Sequence, residues 1–319
     1  MKKIVTIGGG SGHSQVLKGL KTLPDIQITG ICPSTDSGGS TGVLQKEYEG
    51  NGYVGDLTKC FVALCDDDNL AKALMFRYEN GPLDSHSVKN LLFHSLEKTN
   101  GTEEALKLFG EICGLGNHRV LPVTKEKVEL CAKLSIGNTI SGETNIDNIA
   151  KNPLWNPNVH QITDIFLKPA VNASREAMEA VSEADYVVIC PGDLYSSVIP
   201  VLLPKGMKEA IKDSKAKIIL MLNIMTKRGE TDNYTALDFI RTIEAKLGRN
   251  SDYIIANNAA IPKEILLKYS LESKVALDGI SGSSDSRIIF APLAVLNAAD
   301  QIVSNPEVIK ETVSEIINK

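Results

Sequence analysis

The fold class this sequence predicts is α/β, with a doubly wound, mostly parallel sheet and a small inserted β region. Three observations predict it. Short apolar segments alternate with helix-period segments at the spacing of β-α-β units. The first strand segment, Lys3–Ile7, is apolar on consecutive positions, as a strand buried on both faces should be. Polar, glycine-rich stretches also recur directly after strands, where a parallel sheet opens its ligand crevice.

The first strand is Lys3–Ile7, followed by Gly8–Gly12 and a helix whose Val16, Leu17 and Leu20 share one face. A second strand, Ile26–Cys32, completes a β-α-β unit. Pro33–Thr41 is a polar loop without apolar periodicity. Asp56 is placed as the N-cap of a helix that turns Leu57, Cys60, Phe61 and Leu64 inward, and Ser85 as the cap for Val88, Leu91, Leu92 and Leu96. Thr102-Glu103-Glu104 opens a further helix that ends near Gly114. Val120–Val123, Val128–Ser135 and Ile162–Leu167 form the β region, inserted into or edging the main sheet. The α/β rhythm then returns with helix Arg175–Ala184, strand Tyr186–Cys190, helix Met207–Lys212, strand Lys217–Asn223, helix Tyr234–Leu247 and strand Tyr253–Ala256. Strand Arg287–Phe290 and helix Pro306–Asn318 close the chain. One α/β domain over residues 1–319, with a β-rich insertion around 119–168, is expected.

Composition narrows the function. With 43% hydrophobic and 23% charged residues the chain is of ordinary globular make-up, which excludes wholesale disorder. A net charge of −5 gives no case for a nucleic-acid partner. No apolar run approaches the ~18 residues of a membrane span, and Met1-Lys2-Lys3 runs straight into the first strand without an export signal. A cytoplasmic location is expected. The six cysteines are scattered without a Cys-x-x-Cys pair, so they are expected to be reduced and buried, and the histidines show no metal spacing with them. His86 and His94, and likewise His86 and Asn90, are spaced to share a helix face.

Five stretches carry candidate chemistry. Gly8-Gly9-Gly10-Ser11-Gly12 lies between strand and helix, where glycines let a phosphate approach the backbone and the helix N-terminus offers free N–H groups. It is neither the dinucleotide fingerprint, whose last glycine is His13 here, nor a Walker loop. Asp36-Ser37-Gly38-Gly39-Ser40-Thr41-Gly42 follows the second strand, and its composition fits a phosphate and metal loop as well as a mobile loop of turn-formers. In Val54-Gly55-Asp56-Leu57-Thr58-Lys59, Asp56 is a cap and Lys59 reaches toward phosphate. Pro191-Gly192-Asp193-Leu194-Tyr195-Ser196-Ser197 forms a second polar rim at a strand end. Glu230-Thr231-Asp232, after Asn223-Ile224-Met225-Thr226, fits helix capping. No nucleophile elbow, zinc helix or Ser/His/Asp set is present in the sequence.

Taken in order with Ser85-His86-Ser87, Asn90-Leu91-Leu92, Ser141-Gly142-Glu143 and Gly229-Glu230-Thr231-Asp232, these stretches resemble the YvcK proteins, the gluconeogenesis factors of the CofD-like superfamily. The resemblance covers nearly the whole chain and implies a Rossmann-like fold. It implies a nucleotide or nucleotide-sugar ligand of the UDP-N-acetylglucosamine type, and a role in gluconeogenic growth and cell shape. Carried over, Gly9, Gly10, Ser11, Gly12, Ser37, Gly38, Gly39, Ser40 and Lys59 would face phosphate, together with Gly192, Asp193 and Ser196. Asp36 would be the metal candidate, with Mg²⁺ accompanying the nucleotide, and Tyr195 and Asn223 would line the nucleoside side. A homodimer is expected. The alternative is a transferase of the CofD kind, which moves 2-phospho-L-lactate from a nucleoside-diphosphate-linked donor to the deazaflavin Fo. Two positions depart from the family pattern. Val54 stands where Pro usually precedes Gly55-Asp56, and Gly42-Val43-Leu44-Gln45 replaces Gly-Arg-Leu-Arg, leaving Lys46 and Lys59 as the nearest cations.

Overall fold

The chain begins with β1 (Lys2–Ile7), β2 (Ile26–Cys32) and β3 (Arg119–Pro122), then forms β4 (Glu129–Leu134), β5 (Thr139–Ser141) and β6 (Ile162–Lys168). It continues with β7 (Tyr186–Ile189), β8 (Lys217–Met221), β9 (Tyr253–Asn257) and β10 (Ile288–Ala291), and ends its strands with β11 (Ala294–Leu296) and β12 (Ile302–Ser304). This computed structural model describes residues 1–277, 280 and 283–319. Seven of these strands form one sheet in the order β10-β9-β8-β7-β1-β2-β3, and every neighbouring pair is parallel. The fold is therefore doubly wound α/β, as the strand–helix rhythm predicts.

Both faces of the sheet are covered, which explains the continuous apolar strands. Val187 and Ile189 of β7 enter one buried layer and Val188 the other; Ile218 and Leu220 of β8 divide from Ile219 in the same way. β1 pairs with β2 on one side and with β7 on the other, so the winding reverses at β1. A sheet of this kind takes its ligand in the crevice at that reversal, outside the carboxyl ends of the strands.

The helices that frame this crevice are α1 (Gly10–Leu20), α2 (Gly39–Tyr48) and α3 (Val54–Leu64). Beyond them lie α4 (Asp68–Met75), α5 (Val88–Asn100), α6 (Thr102–Ile112) and the short α7 (Glu143–Asp147). Among the described residues no helix is long and apolar enough to cross a membrane.

Several local expectations need correction. The segment read as a loop up to Thr41 already turns into α2 at Gly39. Ser85 does not cap α5: it sits in a tight turn at φ 63, and Ser87 holds the cap position. His86 accordingly precedes α5 and shares no helix face with Asn90 or His94. Asp56 is the third residue of α3 rather than its cap, which is Tyr53. β3 belongs to the main sheet, parallel to β2, whereas β4, β5 and β6 form a separate antiparallel sheet. That sheet carries α7 toward the crevice, in a layer where Leu130, Ala132 and Ile146 are buried.

Candidate functional site

The turn after β1 is shaped by close approach. α1 starts at Gly10 with no side-chain cap and no acid in its first turn, so its leading N–H groups face the crevice unpaired by side chains except one. That one is the Gly10 N–H, which donates to Asp56 Oδ1 at 3.0 Å. Gly10 has φ 66, the left-handed region that glycine enters without strain. At Gly12 a Cβ would stand 2.1 Å from the Pro191 carbonyl oxygen, so α1 and the end of β7 touch backbone to backbone. His13, at the position of the missing fingerprint glycine, is fully buried beneath the turn. Its ring bridges Thr6 Oγ1 and the Gly8 carbonyl, each at 2.8 Å. Cys60 lies 3.4 Å from His13 and 3.3 Å from Cys32. The sequence spacing gave no hint of this His13–Cys32–Cys60 cluster. Both ring nitrogens already have partners, so the cluster is satisfied as a core network. All six cysteines are free and buried, as expected.

Facing the turn are carboxylates from three elements. Asp36, beyond β2, accepts the Gly38 N–H at 3.0 Å and packs on Gly55, where a Cβ would lie 2.1 Å from its Oδ2. Burial raises the Asp36 pKa, and the neighbouring Asp56 charge adds to it. Asp56 stands 3.6 Å from the ammonium of Lys59. Glu143 and Asp147 arrive on α7 from the inserted sheet. Burial, then Asp36 and Asp147, push Glu143 up to about 8.

The opposite wall is the single π-helical turn Leu194–Val198, whose geometry depends on a buried acid. The carboxylate of Glu230 accepts the Tyr195 N–H at 2.7 Å, the Ser196 N–H at 3.2 Å and the Ser196 hydroxyl at 2.6 Å. The expectation that Glu230 serves helix capping is thus overturned: the helix Ala236–Leu247 is capped by Thr235 with Asp238. Asp147, Asp193 and Glu230 come close enough to hold a metal. The ammonium of Lys227 already bridges the first two, at 2.7 and 3.2 Å.

Together these walls enclose a polar inner chamber of 300 Å³. It is lined by Gly9, Gly10, Ser11 and Gly12 on one side, and by Gly192, Asp193, Ser196 and Ser197 on the other. Asp36, Asp56, Lys59, Glu143 and Asp147 complete it. An outer chamber of 330 Å³ shares Ser11, Gly12, Gly192 and Asp193 and extends over Asn223–Lys227, Tyr269, Lys274 and β12. A larger, mainly apolar cavity of 800 Å³ lies elsewhere, around Phe61, Leu106 and Val120 beside β3, away from these polar groups.

Of the residues singled out in the sequence, Asn223 lines the outer chamber, but its amide is engaged with Gly192, accepting from N at 3.1 Å and donating to O at 2.8 Å. Ser37, Gly38, Gly39, Ser40 and Tyr195 line neither chamber. Ser37 bonds Thr144, Ser40 bonds His86, Gly38 and Gly39 head α2, and the Tyr195 hydroxyl bonds that of Tyr234. Of the two lysines, Lys59 lines the inner chamber and the exposed Lys46 does not. Asp147 carried no sequence signal, and Lys227 lay within the stretch Asn223–Asp232 without a role, since only tertiary folding brings both to the crevice.

This arrangement has close relatives. The family model described as 2-phospho-L-lactate transferase CofD matches residues 4–288. The gluconeogenesis factor of Halalkalibacterium halodurans is 37% identical over 277 residues, covering 85% of this chain and 82% of that protein. The gluconeogenesis factor of Bacillus subtilis is 35% identical over 283 residues, covering 86% and 85%. The chain belongs to the CofD-like gluconeogenesis-factor family, the YvcK group. A crystal structure of a UPF0052-family protein from Bacillus halodurans matches with a TM-score of 0.88 at 31% identity, over 98% of this chain and 99% of that one. The two departures from the family pattern have defined places in the structure. Val54 opens α3 at its first position, where Pro would suit the helix start equally. Gln45 donates to the Asp36 carbonyl at 3.2 Å and so braces the Asp36 loop.

Proposed function

We propose that the chain binds a nucleoside-diphosphate-type ligand, a nucleotide sugar of the UDP-N-acetylglucosamine class, in this two-chambered crevice, together with a divalent cation. The observation that carries the reading is the juxtaposition at the β1–β7 reversal. The uncapped start of α1 opens into the inner chamber, and Asp36, Asp56 and Glu143 line the same space. A helix start attracts phosphate, whereas carboxylates repel it unless a cation stands between them. Carboxylate oxygens are the ligands that Mg²⁺ takes, and Asp36 would hold it, with Asp56 and Glu143 lining the same chamber. When bound, the ion would neutralise the diphosphate. Lys59 is the chamber's own cation, and Ser11 and Ser196 offer hydroxyls beside the phosphates. The outer chamber, with Tyr269 and Thr226, is of a size for the nucleoside. The names of the relatives support a role in gluconeogenic growth, and a cytoplasmic location and a part in cell morphogenesis accompany that reading.

A second reading, transfer of phospholactate to Fo, is favoured by the description of the matching family model. Phosphoryl chemistry of that kind relies on cations at the developing charge, each worth on the order of 10³-fold in rate. Gln45 and Val43 stand where the family pattern has arginines, so binding without transfer is expected. The test incubates the purified chain with a phospholactyl-guanosine-diphosphate donor, Fo and Mg²⁺, beside a thermal-shift panel of UDP-sugars, GDP and NAD. Stabilisation by a UDP-sugar without transferred product supports the binder. Product above a Lys59→Ala control promotes the transferase.

A further inference from the structure

Lys89 on α5 is 2% exposed, and no carboxylate among the described residues pairs with it. Its ammonium donates only to neutral acceptors: Asn90 Oδ1 at 2.6 Å, Thr58 Oγ1 at 2.8 Å and the Gly55 carbonyl at 3.2 Å. A buried ammonium in such company is costly, and a methionine of similar length would fill the same space more cheaply. The compensation lies one peptide away. The Gly55 carbonyl accepts from Lys89, while Asp36 Oδ2 packs against the Gly55 Cα, where a Cβ would be 2.1 Å from it. Asp56 is the next residue, and its side chain lines the inner chamber. The charged groups that act on Lys89 are Lys59 and Arg77, which oppose its charge, and Asp56 and Asp36, which favour it. Burial, with Lys59 next, lowers its pKa to about 7.

We propose that Lys89 is a positioning charge of the inner chamber: from behind the first turn of α3 it offsets Asp36 and Asp56, favouring phosphate and limiting how tightly a divalent cation binds. The inference rests on the reading of that chamber as a phosphate and cation site. Lys89 touches neither ligand. Its effect is electrostatic and carries through the Gly55 peptide, where a low effective dielectric keeps a unit charge influential over several ångströms. It supplies from beneath part of the positive charge that Val43 and Gln45 do not supply from α2.

The test titrates Mn²⁺ alone at about pH 6, below the lowered Lys89 pKa so that the ammonium keeps its charge, into the wild-type chain and into Lys89→Met and Lys89→Gln, following free Mn²⁺ by electron paramagnetic resonance. Both variants are expected to bind Mn²⁺ about tenfold more tightly than wild type, because removing a nearby cation leaves the carboxylates more negative. Loosened packing would weaken the site or leave it unchanged, so tightening separates charge from structure. Lys89→Gln keeps a donor for Asn90 and Thr58, and serves if Lys89→Met does not fold. Wild-type binding with unchanged or weaker affinity in the folded variants would overturn the role of Lys89 and leave the proposed function standing. A wild-type chain that takes up no Mn²⁺ would overturn both.

Discussion

Gly12→Ala is expected to lower stability by about 3 kcal/mol, at the upper end of the overpacking range, and to abolish ligand binding. The alanine Cβ would stand 2.1 Å from the Pro191 carbonyl oxygen and 2.8 Å from its carbon, and neither is the end of a flexible side chain. α1 has no room to retreat. Val16, Leu17 and Leu20 are fully buried, and on its far side Gly19 is so close to Pro306 that a Cβ there would lie 2.4 Å from the Pro306 carbonyl. Relief must come from parting α1 and the β7 end, the two walls of the crevice. Gly10→Ala provides the contrast, because a Cβ there meets nothing within 4 Å. It carries only the left-handed backbone cost of about 1–2 kcal/mol. Chemical denaturation of both variants checks the pair. A Gly12→Ala protein as stable as Gly10→Ala would show that the contact with Pro191 does not fix the turn.

Glu230→Ala is expected to cost about 3 kcal/mol, since buried donors left without an acceptor cost about 1–3 kcal/mol each. The Tyr195 N–H, the Ser196 N–H and the Ser196 hydroxyl would lose their shared acceptor in a position only 4% exposed. The π-helical turn Leu194–Val198 would loosen with it, carrying Ser196 out of the chamber wall. Glu230→Gln is expected to be mild, because it resembles the protonated acid. Burial, with the Asp193 charge next, raises Glu230 from 4.5 to about 7 against its three donors. Between those two pH values the folded chain holds a proton that the unfolded chain has released. Stability from this group is therefore complete below about 4.5 and is lost as pH rises toward 7. Melting temperatures across pH 4.5–7.5 should fall less steeply for Glu230→Gln than for wild type. Parallel slopes would contradict the assignment.

The parts of the fold that were legible in the sequence are those where local pattern and tertiary role coincide. β1, β7 and β8 carry consecutive apolar residues because both sheet faces are covered, and the polar stretches after β1, β2 and β7 lie at the crevice for the same topological reason. Where a short segment had two possible partners, the pattern did not decide. Arg119–Pro122 has the look of the β strands that follow it, yet it pairs with β2, some ninety residues earlier, because α6 returns the chain to that edge. Helix starts failed where the caps are not the polar side chains that usually mark them. Tyr53 precedes α3 and Gly38 precedes α2, so Asp56 passed for a cap while its carboxylate instead holds the Gly10 N–H. Glu230 followed the same logic in reverse. It sits among capping residues, but its long side chain reaches back beneath Tyr195. In the sequence Glu143 stands out only as the end of Ser141-Gly142-Glu143, and Lys89 carries no pattern. Their importance comes from burial next to charges distant in the chain, which no local spacing records.

The measurement closest to the central claim is a calorimetric titration of the chain with UDP-N-acetylglucosamine in Mg²⁺, repeated in chelator. With Asp36, Asp56 and Glu143 lining the chamber that the start of α1 opens into, one saturable site is expected in Mg²⁺. Its affinity should fall at least about tenfold in chelator, where the diphosphate meets bare carboxylates. Absence of binding in Mg²⁺, or equal affinity in both conditions, would contradict the account.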